Sequence, residues 1–187
     1  MRIVAGAARG RPLAAPPGRD TRPTSDRARE GLFSTLESLR GLDWAGARVL
    51  DLYAGSGAVG LEALSRGATA AVLVESDVRA AAVIRRNAES IGLPGARVVV
   101  DRVERFLGGP ATAFDVVFAD PPYAVSDEIV ARVLAAAVPW LAEEALVVVE
   151  RPTKGTEPVW PERVAGGQQR RYGDGTLWYG RAMRGPA

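Results

Sequence analysis

Apolar positions follow two different rhythms along this chain. Early on, Ala28, Leu32, Phe33, Leu36 and Leu39 recur at helical spacing, which predicts an amphipathic helix starting after a Thr24 or Ser25 cap. Arg27 and Arg29 fall off that apolar face. From residue 49 onward the stripe gives way to short runs. Residues 49–53, 70–75, 97–100, 114–119 and 145–149 are brief, apolar and partly β-branched, which predicts buried strands. Residues 61–66, 77–91, a short segment ending at Leu107, and 126–138 read as helices between them, with Gly92, Pro94, the Gly108-Gly109-Pro110 break and Pro139 as stop signals. Residues 152–167 read as irregular, and two further runs flanking Gly173-Asp174-Gly175 read as a hairpin. Strands alternating with helices predict a three-layer α/β fold of Rossmann-like type. Its sheet is expected to be mostly parallel and seven-stranded, closed by an antiparallel C-terminal hairpin.

Charge changes this picture by dividing the chain. Residues 1–40 hold eight arginines against four acids, residues 41–150 nine basic against fifteen acidic, and residues 151–187 seven against three. The division predicts a basic N-terminal arm with a capping helix over 1–40 and a sheet domain over 41–187. Residues 1–23 are too broken by glycine and proline for a long element, although 2–5 suit a short strand. Such an arm is expected to become ordered on a polyanionic partner beside a site for a cationic ligand. The chain has neither cysteine nor histidine, which excludes disulfides, thiolate catalysis, imidazole bases and the commonest metal ligands. No metal is expected. No run approaches 18 apolar residues and no apolar leader precedes Arg9, so a cytoplasmic protein without membrane contact is expected.

Chemistry concentrates at Asp51-Leu-Tyr-Ala-Gly-Ser-Gly57, where a strand runs into a glycine turn and then a helix. Gly55, Gly57 and Gly60 satisfy a dinucleotide fingerprint, with Glu75 twenty residues after Gly55 where a ribose-binding acid belongs. Asp51, four residues before Gly55, suits a different ligand. S-adenosylmethionine (SAM) carries an ammonium and a sulfonium but no phosphate, so its site needs carboxylates near the charge and glycines for close contact. The expected strands place Asp51, Glu75, Asp101 and Asp120 at one sheet edge. Asp120-Pro121-Pro122-Tyr123 favours the second reading. Two prolines stiffen the turn and leave carbonyls free to accept, Asp120 adds an acceptor, and Tyr123 adds an aromatic face. Together they fit a planar group bearing an NH₂, whose nitrogen acceptors could steer towards tetrahedral geometry as positive charge develops.

These motifs resemble the class I SAM-dependent amino-methyltransferases. Ile3-Val-Ala-Gly6, Arg9-Gly-Arg-Pro-Leu13, the run from Thr21 to Glu30 and Arg171-Tyr-Gly-Asp174 narrow the resemblance to the RsmD family of bacterial 16S rRNA guanine-N2 methyltransferases. The resemblance implies that Asp51, Tyr53, Ala54, Gly55 and Gly57 line the methionine end of SAM. It implies Glu75 with Ser76 at the ribose and Asp101 with Arg102 at the adenine. Asp120, Pro121, Pro122 and Tyr123 would hold the flipped guanine, with Asp120 also bordering the cofactor. Arg9, Arg11, Arg19, Arg22 and Arg27 would contact RNA phosphates. Tyr53 stands where such enzymes often have Phe, a departure expected to be silent. The implied partner is 16S rRNA within the small ribosomal subunit or a late assembly intermediate, met by a monomer that releases S-adenosylhomocysteine. Other readings are a dinucleotide oxidoreductase, a DNA adenine-N6 or protein-glutamine methyltransferase, and a non-catalytic ribosome-assembly factor.

Overall fold

The computed structural model describes residues 1–17, 26–40 and 44–184. The Thr24 or Ser25 cap therefore lies outside the described residues. Thirteen elements follow in chain order: α1 Asp26–Arg40, β1 Arg48–Leu52, α2 Ala58–Ser65, β2 Ala70–Glu75, α3 Val78–Ile91, β3 Ala96–Val100 and α4 Val103–Leu107 come first. Then come β4 Phe114–Ala119, α5 Asp127–Ala137, a 3₁₀ turn Val138–Trp140, β5 Leu141–Pro152, β6 Val164–Tyr172 and β7 Gly175–Ala182. The seven strands form one sheet in the order β3-β2-β1-β4-β5-β7-β6. β1 to β5 are parallel, whereas β7 runs antiparallel to both β5 and β6.

Strand alternation sorts the core into two halves. Val49, Leu73, Val116, Phe118 and Val148 face α1, α2 and α3, burying Leu32, Phe33, Leu61 and Ile84. Leu50, Leu52, Val74, Val117 and Val149 face α4 and α5, burying Leu107, Val130 and Leu134. Both faces of the sheet are thus covered, which explains why the strands read as continuous apolar runs. Among the described residues no helix is long and apolar enough to cross a membrane.

Three departures from the sequence reading have local causes. β1 ends at Leu52, and Tyr53 takes a left-handed φ of 62°, a conformation disfavoured for a bulky residue. β5 spans 12 residues rather than the five-residue apolar run, because its second half pairs from Leu146 to Pro152 with β7. Partner hydrogen bonds, not local hydrophobicity, carry it past Val149. Arg29 is fully buried, although it lies off the apolar stripe of α1. It reaches Asp26 at 2.8 Å, hydrogen-bonds the Arg2 carbonyl and lies 3.9 Å from Glu62 on α2.

The start of the chain is not a free arm. Residues 1–13 fold back on themselves through Ile3 N–H to the Arg11 carbonyl and Leu13 N–H to the Met1 carbonyl, with Ile3, Ala8 and Leu13 buried. The Glu62 carboxylate accepts from Val4 and Ala5 N–H at 2.8 and 2.9 Å. Ser65 Oγ accepts from Ala8 N–H and donates to the Ala5 carbonyl. Asn87 on α3 pairs with both backbone groups of Ala14 and donates to the Ser56 carbonyl in the glycine turn. This segment is ordered on its own domain, because buried polar groups of α2 and α3 satisfy its backbone.

Candidate active site

The order of strands reverses between β1 and β4, which opens a crevice beyond their carboxyl ends. The sheet carries Asp101 after β3, Glu75 at the end of β2, Asp51 in β1 and Asp120 after β4, on four neighbouring strands. Local turns sharpen this arrangement. Ala54 N–H bonds to the Val74 carbonyl at 2.9 Å, which demands the abrupt exit made by Tyr53. Gly57 follows with φ 78°, and a Cβ there would stand 2.8 Å from Ile84 Cγ2. Only glycine meets both the conformation and the clearance.

The four acids have unequal surroundings. Asp51 is 2% exposed, and its Oδ2 accepts from Gly60 N–H at 2.9 Å. Burial, reinforced by the nearby Glu75 charge, pushes its carboxyl up to about 8 against that hydrogen bond. Glu75 is equally buried but bridges two backbone donors, Gly55 and Asp77 N–H, each at 2.9 Å. It therefore holds the glycine turn against the start of α3, where Asp77 caps the helix through Arg79 and Ala80 N–H. Asp101 is half-buried and accepts from Arg102 N–H and Arg105 Nε. Ser76 and Arg102 are exposed at the same edge, Ala54 is buried, and Gly55 is partly open. Tyr53 is half-buried, and burial with the Glu104 charge pushes its phenol up to about 12.

Across the crevice, Asp120 N–H reaches the Leu52 carbonyl at 3.4 Å, tying the tetrapeptide to β1. Pro121 is buried, while Pro122 and Tyr123 are exposed. Val125 N–H closes a turn onto the Pro122 carbonyl at 2.8 Å, which leaves the Tyr123 ring 50% exposed at its apex. Burial and the negative charges of Glu150, Asp120 and Asp174 push the Tyr123 phenol up, opposed by Arg151. The β6–β7 turn packs against it. A Cβ on Gly175 would lie 2.6 Å from Glu150 Oε1 and 3.2 Å from the Tyr123 hydroxyl.

The arginines expected at RNA are divided. Arg9, Arg11 and Arg27 are exposed, whereas Arg19 and Arg22 lie outside the described residues. Arg9 and Arg27 line a groove of about 590 Å³ between the N-terminal segment and α1, which shares no residue with the glycine turn. Arg2 and Arg66 join them there, as do Asp26, Glu30 and Glu37. Sequence reasoning missed Glu62, Ser65, Asn87 and Arg151, all buried and polar. The available signal was a polar pair inside the otherwise apolar run of α2, every residue of which is buried.

The profile of the family described as Conserved hypothetical protein 95 matches residues 1–181. Ribosomal RNA small subunit methyltransferase D of Escherichia coli (strain K12) is 38% identical over 175 residues, covering 89% of this chain and 85% of that one. The protein of that name from Haemophilus influenzae is 36% identical over 154 residues, covering 80% and 78%. Among solved structures, Escherichia coli yhhF matches with a TM-score of 0.83 at 34% identity, covering 98% of each chain. A hypothetical protein of Thermus thermophilus matches with a TM-score of 0.79 at 36% identity, covering 96% of this chain and 98% of that one. With these likenesses running through the sheet, the glycine turn and the tetrapeptide alike, the chain belongs to the Conserved hypothetical protein 95 family, that is, the RsmD family of methyltransferases.

Proposed function

We propose that the protein transfers a methyl group from SAM to the exocyclic N2 amine of a guanine in small-subunit ribosomal RNA. The observation that carries this reading is the under-compensated carboxyl of Asp51 beside the glycine turn, on the strand next to the one that leads into the Asp120–Tyr123 tetrapeptide. A buried acid with one backbone donor and a raised pKa is matched to a cationic ligand, and SAM supplies both that charge and the electrophilic methyl group. Asp51 with Gly55 and Gly57 would hold its methionine end, Glu75 its ribose, and Asp101 its adenine amine. The dinucleotide alternative leaves Asp51 and the tetrapeptide without a role.

At the other wall, the Asp120 carboxylate and the Pro121 carbonyl would accept the N–H bonds of the target amine, the Pro122 carbonyl being engaged by Val125 N–H. They would stabilise the charge that develops on nitrogen, while Tyr123 would stack on the base. Glu150 and Asp174 close to Tyr123 add negative charge beside that base. Guanine turns N1–H and N2–H donors towards such a surface, whereas adenine presents an N1 acceptor, and this favours guanine. The names of the two curated relatives support ribosomal RNA as the substrate. Exposed Arg9, Arg11 and Arg27 would meet its phosphates.

The test is incubation with labelled SAM and small subunits lacking the modification, followed by identification of the labelled nucleoside. N2-methylguanosine is expected. Label in N6-methyladenosine, or in protein alone, would overturn the substrate. Asp120→Ala should lower the single-turnover rate by roughly 10²-fold or more with little loss of SAM affinity.

A further inference from the structure

Arg151 occupies an expensive position for a residue with no assigned task. It lies in β5 immediately after Glu150, and it is only 6% exposed. Its Nη2 donates to the Val125 carbonyl at 2.9 Å and to Asp127 Oδ1 at 3.0 Å. Nη1 is buried and has no hydrogen-bond partner among the described residues. Its one carboxylate partner, Asp127, is 62% exposed at the start of α5. A buried cation so thinly compensated is a poor device for stability, since an apolar side chain of similar volume fills the same space without desolvating a charge. An unsatisfied buried donor of this kind calls for another explanation.

The bonds that Arg151 does make suggest one. Tyr123 sits in the four-residue turn that Val125 N–H closes onto the Pro122 carbonyl. Prolines fix the entry to that turn. At its exit, the Val125 carbonyl is held by Arg151, and two residues later Asp127 is held by the same guanidinium. Just past the end of β5 the grip continues: Thr153 N–H and Oγ1 bond to the carbonyls of Asp174 and Gly173, fixing the hairpin turn on the other side of Tyr123. The tetrapeptide is thus rigid at its start and dependent on Arg151 at its end.

We propose that Arg151 is a positioning residue for methyl transfer, setting the height and tilt at which Tyr123 and Asp120 present the base to the cofactor. It touches neither ligand. The proposal rests on the tetrapeptide being the base site, as stated above. Losing the tie lets the turn drift, and a displacement of about 1 Å at reacting groups is enough to lower a rate by ~10²-fold.

Four proteins, the parent with Arg151→Met, Arg151→Lys and Asp120→Ala, decide the matter when compared by thermal melting, SAM titration and single-turnover methylation of small subunits. Arg151→Met should melt no lower than the parent and bind SAM equally, yet methylate on the order of 10²-fold more slowly at saturating subunits. Arg151→Lys should recover part of that rate, since an ammonium can still reach Val125 or Asp127. A folded Arg151→Met protein with the parental rate overturns the proposal. Should Arg151→Met fail to fold, Asp127→Asn, which weakens the same tie from the exposed side, must slow transfer without moving SAM affinity; a parental rate there overturns it equally. If Asp120→Ala also methylates at the parental rate, the tetrapeptide reading itself falls, which separates the two failures.

Discussion

Glu62 and Asp51 are both buried carboxylates on successive elements, yet the fold treats them in opposite ways. Glu62 accepts from Val4 and Ala5 N–H, from Arg66 Nε at 3.0 Å, and lies 3.9 Å from Arg29. Asp51 accepts from Gly60 N–H and faces another acid, Glu75. The first is saturated by donors and cations from three different segments, and it fastens the N-terminal residues and α1 to α2. The second has one backbone donor to offset its burial, and its carboxyl is pushed up to about 8, as the proposed role beside a cationic ligand requires. Full compensation fits a structural charge at Glu62, and thin compensation at Asp51 fits the proposed cofactor contact.

The sharpest way to break that contrast is to exchange the consequences. Glu62→Ala should lower stability by about 3–5 kcal/mol, because it removes a carboxylate beside the buried Arg29 guanidinium and takes the acceptor from Val4 and Ala5 N–H. Denaturant unfolding would measure the loss, and protein that stays folded should still bind SAM. A stability change within experimental error would mean that Glu62 is no keystone. Asp51→Asn should do the reverse. It removes a carboxylate that the fold alone holds at a disadvantage, so stability should hold or rise. SAM binding should weaken by about 1.5–3 kcal/mol, the worth of a hydrogen bond to a charged group. Calorimetry showing equal affinity would remove Asp51 from the cofactor site.

A pH series sharpens the same point with a smaller effect. The Asp51 carboxyl rises from 3.8 to about 8 on folding, so the unliganded protein is most favoured by this group below 3.8 and loses that contribution as pH climbs towards about 8. A cationic ligand prefers the ionised acid, and its binding must release a proton. SAM affinity should therefore fall as pH drops below about 8, by up to about tenfold per unit. Asp51→Asn should flatten that slope. A parental slope in the variant would assign the linkage to another group. The smallest effect belongs to the basic surface. Arg11→Ala should leave SAM binding untouched and reduce the salt dependence of subunit binding by roughly one phosphate contact, a slope change near 0.7–0.9. An unchanged slope would clear Arg11 of RNA contact.

Much of the molecule was legible from the residues in order. The apolar runs placed β2 and β4 at their observed bounds, Gly92 stops α3 as expected, and Asp77 and Ser126, read as the first residues of their helices, stand one position earlier as N-caps. These signals are local, since a strand buried on both faces must be apolar throughout and a helix end must satisfy its own backbone. The charged residues between them were another matter. Arg29 carries no mark that separates it from a solvated charge, Glu62 only its place in an apolar run, and Arg151 stands between the fifth apolar run and a stretch that reads as irregular. Their roles depend on partners 24 to 58 residues away, such as Asp127 for Arg151 and Val4 for Glu62.

The α/β alternation, the glycine turn, the four acids at the strand ends and the stiff Asp-Pro-Pro-Tyr turn follow from the residue order alone. Each is written in consecutive residues whose backbone and side-chain preferences act over one or two turns of chain. Which charges are neutralised was settled by long-range packing. It folded residues 1–14 onto α2 and α3 instead of leaving them free, sank Arg29 and Arg151 out of water, and left Asp51 short of donors. The reason is that desolvation and pairing depend on what the rest of the chain brings within a few ångströms, and no local pattern encodes that.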